Sequence, residues 1–322
     1  MGHAHQITAT SRRRAHQGML IWALIVGLSF PAVGMMSEGM PPLLLTAIRF
    51  IIAALAILPL VWRTPSRWPS LPGLILYTIM GLSLAGFFGT MFWAAHRTSA
   101  LSMATLYISV PMLAYYLGRL FGVEQRAILL LGILITGAAG ALGLAWAEAN
   151  GRLGEIQFGL AEAAFFIGCI GSALYPVVSK LGLNRGWLSP RAEVRTFWSL
   201  LVGSVLVGAL GLVFEAPQHL ANLSFTDALL LTYLGVFSSG ITFWLTQQAT
   251  SALTPGAVTA YSYLVPFISM LLLFIEQPQR MGWHWLPGSL LVIVAIALLL
   301  NRDITKPKSG QHVQPQLQQQ AC

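Results

Sequence analysis

Gly89-Thr90-Met91-Phe92-Trp93, then Ser99-Ala100-Leu101, then Tyr107-Ile108-Ser109-Val110-Pro111 is a block that the chain uses twice. It returns 151 residues later as Gly240-Ile241-Thr242-Phe243-Trp244, Ser251-Ala252-Leu253 and Tyr261-Ser262-Tyr263-Leu264-Val265-Pro266, in the same order, with three residues inserted in the second copy by Tyr261 and one more before Pro266. Each copy covers the end of one apolar run and most of the next. Continuous runs of about 20 apolar residues span a bilayer as helices, whereas barrel strands need only about 9 to 11 residues and alternate in polarity. The block is therefore read as two spans of a membrane-embedded helical unit that occurs twice.

Working outward, runs bounded by charges, Pro or Gly number ten: about residues 18–36, 42–62, 71–93, 99–118, 127–147, 157–180, 192–214, 226–247, 254–275 and 284–301. The repeated block falls on runs three and four and again on eight and nine, so each unit holds five spans. Five is odd, and the second unit enters the bilayer in the reverse orientation, as in many secondary transporters. The expected fold is an all-α integral membrane protein. Its ten transmembrane helices form two inverted five-helix repeats around a central cavity. The expected organisation is an N-terminal cytoplasmic tail 1–17, a first repeat 18–150, a second repeat 151–302, and a disordered cytoplasmic tail 303–322.

Composition agrees. Of 322 residues 56% are apolar and 9% charged, against about a quarter charged in a soluble domain. This excludes ordinary soluble, disordered and disulfide-rich secreted proteins. Cys169 and Cys322 are the only cysteines and offer no metal-ligand spacing. A net charge of +8 would suit nucleic acid only if clustered, and here the basic residues stand singly between apolar runs. They orient the chain instead. Fourteen Lys and Arg fall on one side of the ten-span arrangement, three (Arg97, Arg152 and Arg280) on the other, and Arg49 lies inside a span. The bias places both termini in the cytoplasm. The arm carrying His3, His5, His16 and Arg12 to Arg14 is expected to be solvated rather than to hold metal or anionic lipid.

Further residues carry a resemblance. They are Leu44-Leu45-Thr46-Ala47-Ile48-Arg49-Phe50 with Ala53-Ala54-Leu55, the Ser-Ala-Leu to Pro111 stretch, Gly132 and Gly137, Ser172-Ala173-Leu174-Tyr175, and Thr254-Pro255-Gly256-Ala257 to Pro266 followed by Glu276. In this order they resemble the EamA family of the drug/metabolite transporter superfamily, over about residues 18–301. The resemblance implies a ten-helix carrier of small organic metabolites, commonly an exporter, with its cavity between two five-helix halves. One departure is in span one, where members often have a Trp-Gly pair but Gly27 here follows Val26, and the nearest tryptophan is Trp22. Any role of that tryptophan does not transfer.

The residues that could contact or gate a solute are few. Arg49, inside span two, would cost about 2.5 to 3.5 kcal/mol at a helix centre unless paired or hydrated. It reads equally as an anion contact or as a structural lock between helices. Glu162, about five residues into span six, could pair with Arg49, carry a coupling proton, or reach to headgroup water. Trp93, Tyr107, Tyr175, Trp244, Tyr261 and Tyr263 supply the flat amphipathic walls a metabolite cavity needs, though each alone is more often packing or belt. Pro31, Pro111, Pro176 and Pro266 interrupt the helical ladder and are kink candidates. No catalytic signature, metal cluster or nucleotide-binding loop is present in the sequence, so no cofactor is expected.

The function expected is secondary active export of small organic metabolites, such as amino acids or related compounds, across the cytoplasmic membrane by alternating access. Expected partners are the solute, the lipid bilayer, protons as coupling ion and a second copy in a homodimer, with no nucleic acid. The nearest rival is an importer of the same solutes. Less favoured are a non-transporting sensor and an intramembrane enzyme, the latter needing paired carboxylates or an activated nucleophile at membrane depth.

Overall fold

Uncharged runs leave the backbone no polar partner but itself, so they fold as helices. The computed structural model describes residues 9–65, 67–95, 97–148, 159–276 and 282–305. Among them are ten helices long and apolar enough to cross a membrane, and no strand. Span one is α1 (Ala9–Gly34), span two α2 (Pro42–Trp62) and span three α3 (Leu71–Ala95). Span four is broken into α4 (Ala100–Tyr107) and α5 (Val110–Leu120), and span five is α6 (Ile128–Glu148). Spans six and seven are α7 (Leu160–Asn184) and α8 (Ala192–Phe214). Span eight comprises α9 (Phe225–Tyr233), a π-helical segment Leu234–Ile241 and α10 (Thr242–Ala252). Span nine comprises α11 (Pro255–Thr259), a 3-10 turn Ala260–Tyr263 and α12 (Leu264–Glu276), and span ten is α13 (Leu286–Thr305).

With ten crossings, Ala9 and Thr305 lie at one end of the bundle, called the tail end below; the opposite end is the far end. Expected and observed boundaries differ most at the N-terminus. Helix α1 begins at Ala9 and includes Arg12 to His16, with Ala15 and His16 buried. The expected solvated arm is therefore corrected: His16 leaves solvent because its ring bonds Tyr261 and faces Asp303. Helix α13 likewise runs past residue 302 into the expected C-terminal tail, most of which, with His3 and His5, lies outside the described residues.

The five-span halves are not side-by-side bodies. Span three packs along span six, and correspondingly span eight along span one; span three meets span seven, and span eight meets span two. Span four touches span six as span nine touches span one, and spans two and seven, four and nine, and five and ten pair directly. Each of these contacts has its partner when every span is exchanged for the one five places away. Small residues permit the closest of these approaches. A methyl on Gly140 would stand 2.7 Å from the backbone nitrogen of Val292, and one on Gly288 would stand 2.8 Å from the Gly140 carbonyl oxygen.

Carboxylates fasten the helix starts. At the far end Glu215 accepts the backbone N–H groups of Leu43 (2.8 Å) and Leu44 (2.9 Å) at the start of α2. There Asp227 accepts the Ser37 N–H at 2.9 Å while capping its own helix at Ser224. These N-terminal groups have no intrahelical acceptor, and a negative charge also suits the positive helix end.

Candidate functional site

Arg49 lies seven residues inside α2, about 10 Å along the helix axis. Its guanidinium reaches across to span eight, where Nη2 donates to the hydroxyls of Ser238 (3.3 Å) and Ser239 (3.4 Å). Both serines belong to the π-helical segment, a local widening that recurs at functional positions. Span two can come this close because Gly235 presents only backbone: a methyl there would stand 2.7 Å from Ile52 Cγ2 and 3.3 Å from the Arg49 carbonyl oxygen. The arginine is half-buried, and its Nε is buried without a hydrogen-bond partner. Its bonded partners are neutral hydroxyls, and among the described residues no carboxylate pairs with it. A cation in this position offers donors that a solute carboxylate can use.

Glu162 is not that partner. It is the third residue of α7, where its carboxylate accepts the Gly159 N–H (2.8 Å) and the Thr98 hydroxyl. A glutamate at this helix position folds back on its own first turn, so the pairing with Arg49 weighed from sequence is not formed.

An aromatic series runs beside Arg49. Phe50, the next residue and fully buried, meets Phe88 of α3 edge-on at 5.4 Å and Phe243 of α10 at 5.8 Å. Phe243 meets Tyr175 at 5.5 Å, and Phe87, adjoining Phe88, meets Tyr107 at 5.7 Å. The series thus joins Tyr175 and Tyr107, two of the aromatic candidates, through phenylalanines not singled out from sequence. Tyr175 also exchanges a 2.8 Å hydrogen bond with Ser199.

The remaining candidates are elsewhere. Trp93 is exposed at the far end of α3, with the Arg97 guanidinium 4.4 Å over its ring. Trp244 packs with Ile57, Val61 and Val194 near the tail end. Tyr261 is buried against His16 at 2.7 Å, and the ring of Tyr263 fills the groove at Gly137. Pro31 and Pro176 are interior to α1 and α7. Pro111 and Pro266 follow the breaks in spans four and nine directly, since neither can donate to the residue four places earlier, Tyr107 and Ser262.

Arg195, one of the fourteen basic residues on the side of the termini, is 0% exposed. Its donors reach the side-chain oxygen of Gln247 (3.0 Å), the carbonyls of Gln247 and Ser189 (2.6 Å each) and the Ser251 hydroxyl (2.8 Å). Ser179 donates to the same Gln247 oxygen at 2.6 Å, so spans six, seven and eight are stitched together near the tail end. The available signal was a set of polar residues placed just inside the ends of apolar runs.

Comparison with known proteins agrees with this architecture. The EamA-like transporter family model matches residues 14–145 and again 159–301. The chain is 26% identical over 281 residues to the uncharacterized inner membrane transporter YedA of Escherichia coli K12, covering 85% of this chain and 88% of that one. It is 21% identical over 299 residues to the uncharacterized transporter YcxC of Bacillus subtilis 168, covering 88% and 91%. Protein PecM of Dickeya dadantii is 22% identical over 250 residues, covering 77% and 79%. A crystal structure at 19% identity superposes with a TM-score of 0.72 over 92% of this chain and 99% of that one, a likeness of fold. Two family matches over nearly the whole length, on ten apolar helices, establish that the chain belongs to the EamA-like transporter family.

Proposed function

We propose that this transporter is a secondary active carrier that moves a small organic solute bearing an anionic group, in the class of amino acids and related compounds, by alternating access. The single observation that carries this reading is Arg49. A guanidinium inside a membrane span, half-buried, held by two long bonds to neutral hydroxyls and with Nε unpartnered, is an electrostatic deficit that a solute carboxylate makes good. Phe88, Phe243 and Tyr107, partly buried members of the aromatic series, give the solute's apolar body a wall, with buried Phe50 and Tyr175 packed behind them.

The two units, residues 18–150 and 151–302, are read as inverted repeats, a reading supported by the doubled family match and by the exchange of spans five places apart. Residence in the cytoplasmic membrane with both termini inside is supported by the Lys and Arg bias and by the description of the E. coli relative. Export rests on the family resemblance, and protons are the proposed coupling ion.

The test is counterflow and uptake in proteoliposomes with labelled amino acids and other small carboxylates, with and without a pH gradient. Saturable flux should fall at least a hundredfold in Arg49→Ala and recover in part in Arg49→Lys. Equal flux in wild type and Arg49→Ala, both folded, would overturn the site. Gradient-insensitive flux would overturn proton coupling alone.

A further inference from the structure

Spans four and nine are broken at matching places, and their parts keep different company. The tail-end parts, α5 and α11, pack on one another, whereas at the far end α4 lies against α7 and α6, and α12 against α1 and α6. Spans four and nine thus meet one another directly at the tail end.

One side chain ties it. Glu124 stands in the turn after α5, which Gly122 shapes with φ +69 and in which the Val123 and Glu124 N–H groups both donate to the Gly118 carbonyl (2.8 and 2.9 Å). This rigid turn sets the glutamate, 7% exposed, against span nine, where Oε2 accepts the N–H of Gly256 at 3.1 Å. Gly256 is in the first turn of α11, and the approach depends on its lacking a side chain. A methyl there would stand 3.2 Å from Tyr115 Cβ and 3.3 Å from that carboxylate oxygen.

The contrast with span four is informative. Its start is capped locally, by the Ser99 hydroxyl on the Ser102 N–H at 3.1 Å. Span nine begins with Thr254 in the same capping position, yet Thr254 makes no side-chain cap on its own helix, and its hydroxyl faces the Glu124 carboxylate. The cap comes instead from the other half of the molecule.

We propose that Glu124 is the latch of a gate at the tail end, its carboxylate holding α5 and α11 together across the two halves and releasing span nine whenever the interior opens to that side. The proposal rests on the alternating-access reading, but its test uses no solute, so a failed flux assay leaves it standing.

The test is cysteine accessibility in membrane vesicles, with Cys322→Ser as background and Ala257→Cys as reporter. Ala257 is fully buried in α11, and native Cys169, fully buried in span six, is the internal control. N-ethylmaleimide should label position 257 about tenfold faster in Glu124→Ala, the shift expected for losing a charge-assisted hydrogen bond, with Cys169 still protected. Where the alanine variant does not accumulate, Glu124→Gln is measured in the same way. An unchanged rate at position 257 would overturn the latch. So would an equal acceleration at Cys169, which would make Glu124 a general packing residue.

Discussion

Arg195 Nε donates to Gln247 Oε1 at 3.0 Å, and a second nitrogen of the same guanidinium reaches the Gln247 backbone carbonyl at 2.6 Å. Two residues 52 positions apart are thus joined through side chain and main chain at once, where span seven begins and span eight ends. All the acceptors around this arginine are neutral. The first prediction is that Arg195→Ala costs about 3 kcal/mol or more, because it leaves several buried acceptors without donors. Arg195→Lys recovers only part of this, since an ammonium lacks the planar fork that serves them together. Thermal midpoints of the purified variants measure it, and matching midpoints for wild type and the alanine variant would show that the stitch carries no stability.

The second prediction concerns two glycines of one helix. A methyl on Gly137 would stand 2.4 Å from the Tyr263 ring, whereas nothing lies within 4 Å of one on Gly132. Gly137→Ala must displace the ring from the groove between spans five and nine and should cost about 1 to 3 kcal/mol. Gly132→Ala should stay within about 0.5 kcal/mol of wild type. Thermal unfolding of the two variants side by side checks the contrast.

What could be read in the sequence divides along physical lines. Helices and their number follow from local hydropathy, and Arg49 stood out because a charge inside an apolar run is costly wherever the helix turns. The discontinuities need one more step. Pro111 and Pro266 read as kink candidates, but the helix parts on their N-terminal side, where the missing proline N–H removes the helical bond that Tyr107 and Ser262 would accept from four places on. The π-helical segment holding Ser238 and Ser239 had no such marker. Arg195 and His16 were misplaced because their burial depends on residues far along the chain, Gln247 for one and Tyr261 with Asp303 for the other. Sequence distance hides such pairings, and only the packing of the two halves reveals them.

The third prediction separates a solute contact from a structural lock at Arg49. Hydrogen bonds of 3.3 and 3.4 Å are at the long end of the useful range, so the Ser238 and Ser239 hydroxyls contribute little stability. A Ser238→Ala, Ser239→Ala double variant should lose less than about 1 kcal/mol and keep saturable flux. Arg49→Ala should abolish flux at a thermal midpoint near or above that of wild type, as removal of an under-partnered charge from a membrane interior relieves a cost. A midpoint that instead collapses in Arg49→Ala and in the serine double variant alike would identify a lock between spans two and eight.

The last prediction follows the Glu124 carboxyl with pH. Burial raises its pKa above the usual carboxylate range, because desolvation disfavours the charged form. The groups facing it across the packed elements include Arg302 and Asp303 of span ten, whose opposite charges act on it in opposite directions. The folded protein therefore holds this proton more tightly than the unfolded chain, whose glutamates titrate near 4.3. The corresponding stability is fully present below the unfolded value, declines as pH rises through the window between the two values, and is lost above the folded one. Glu124→Gln has no proton to lose there and should flatten this part of the profile. Thermal midpoints of wild type and Glu124→Gln from about pH 4 upward measure the difference. A difference that grows as pH falls would reverse the sign and show that the folded state prefers the carboxylate, with the helix-start bond to Gly256 outweighing burial.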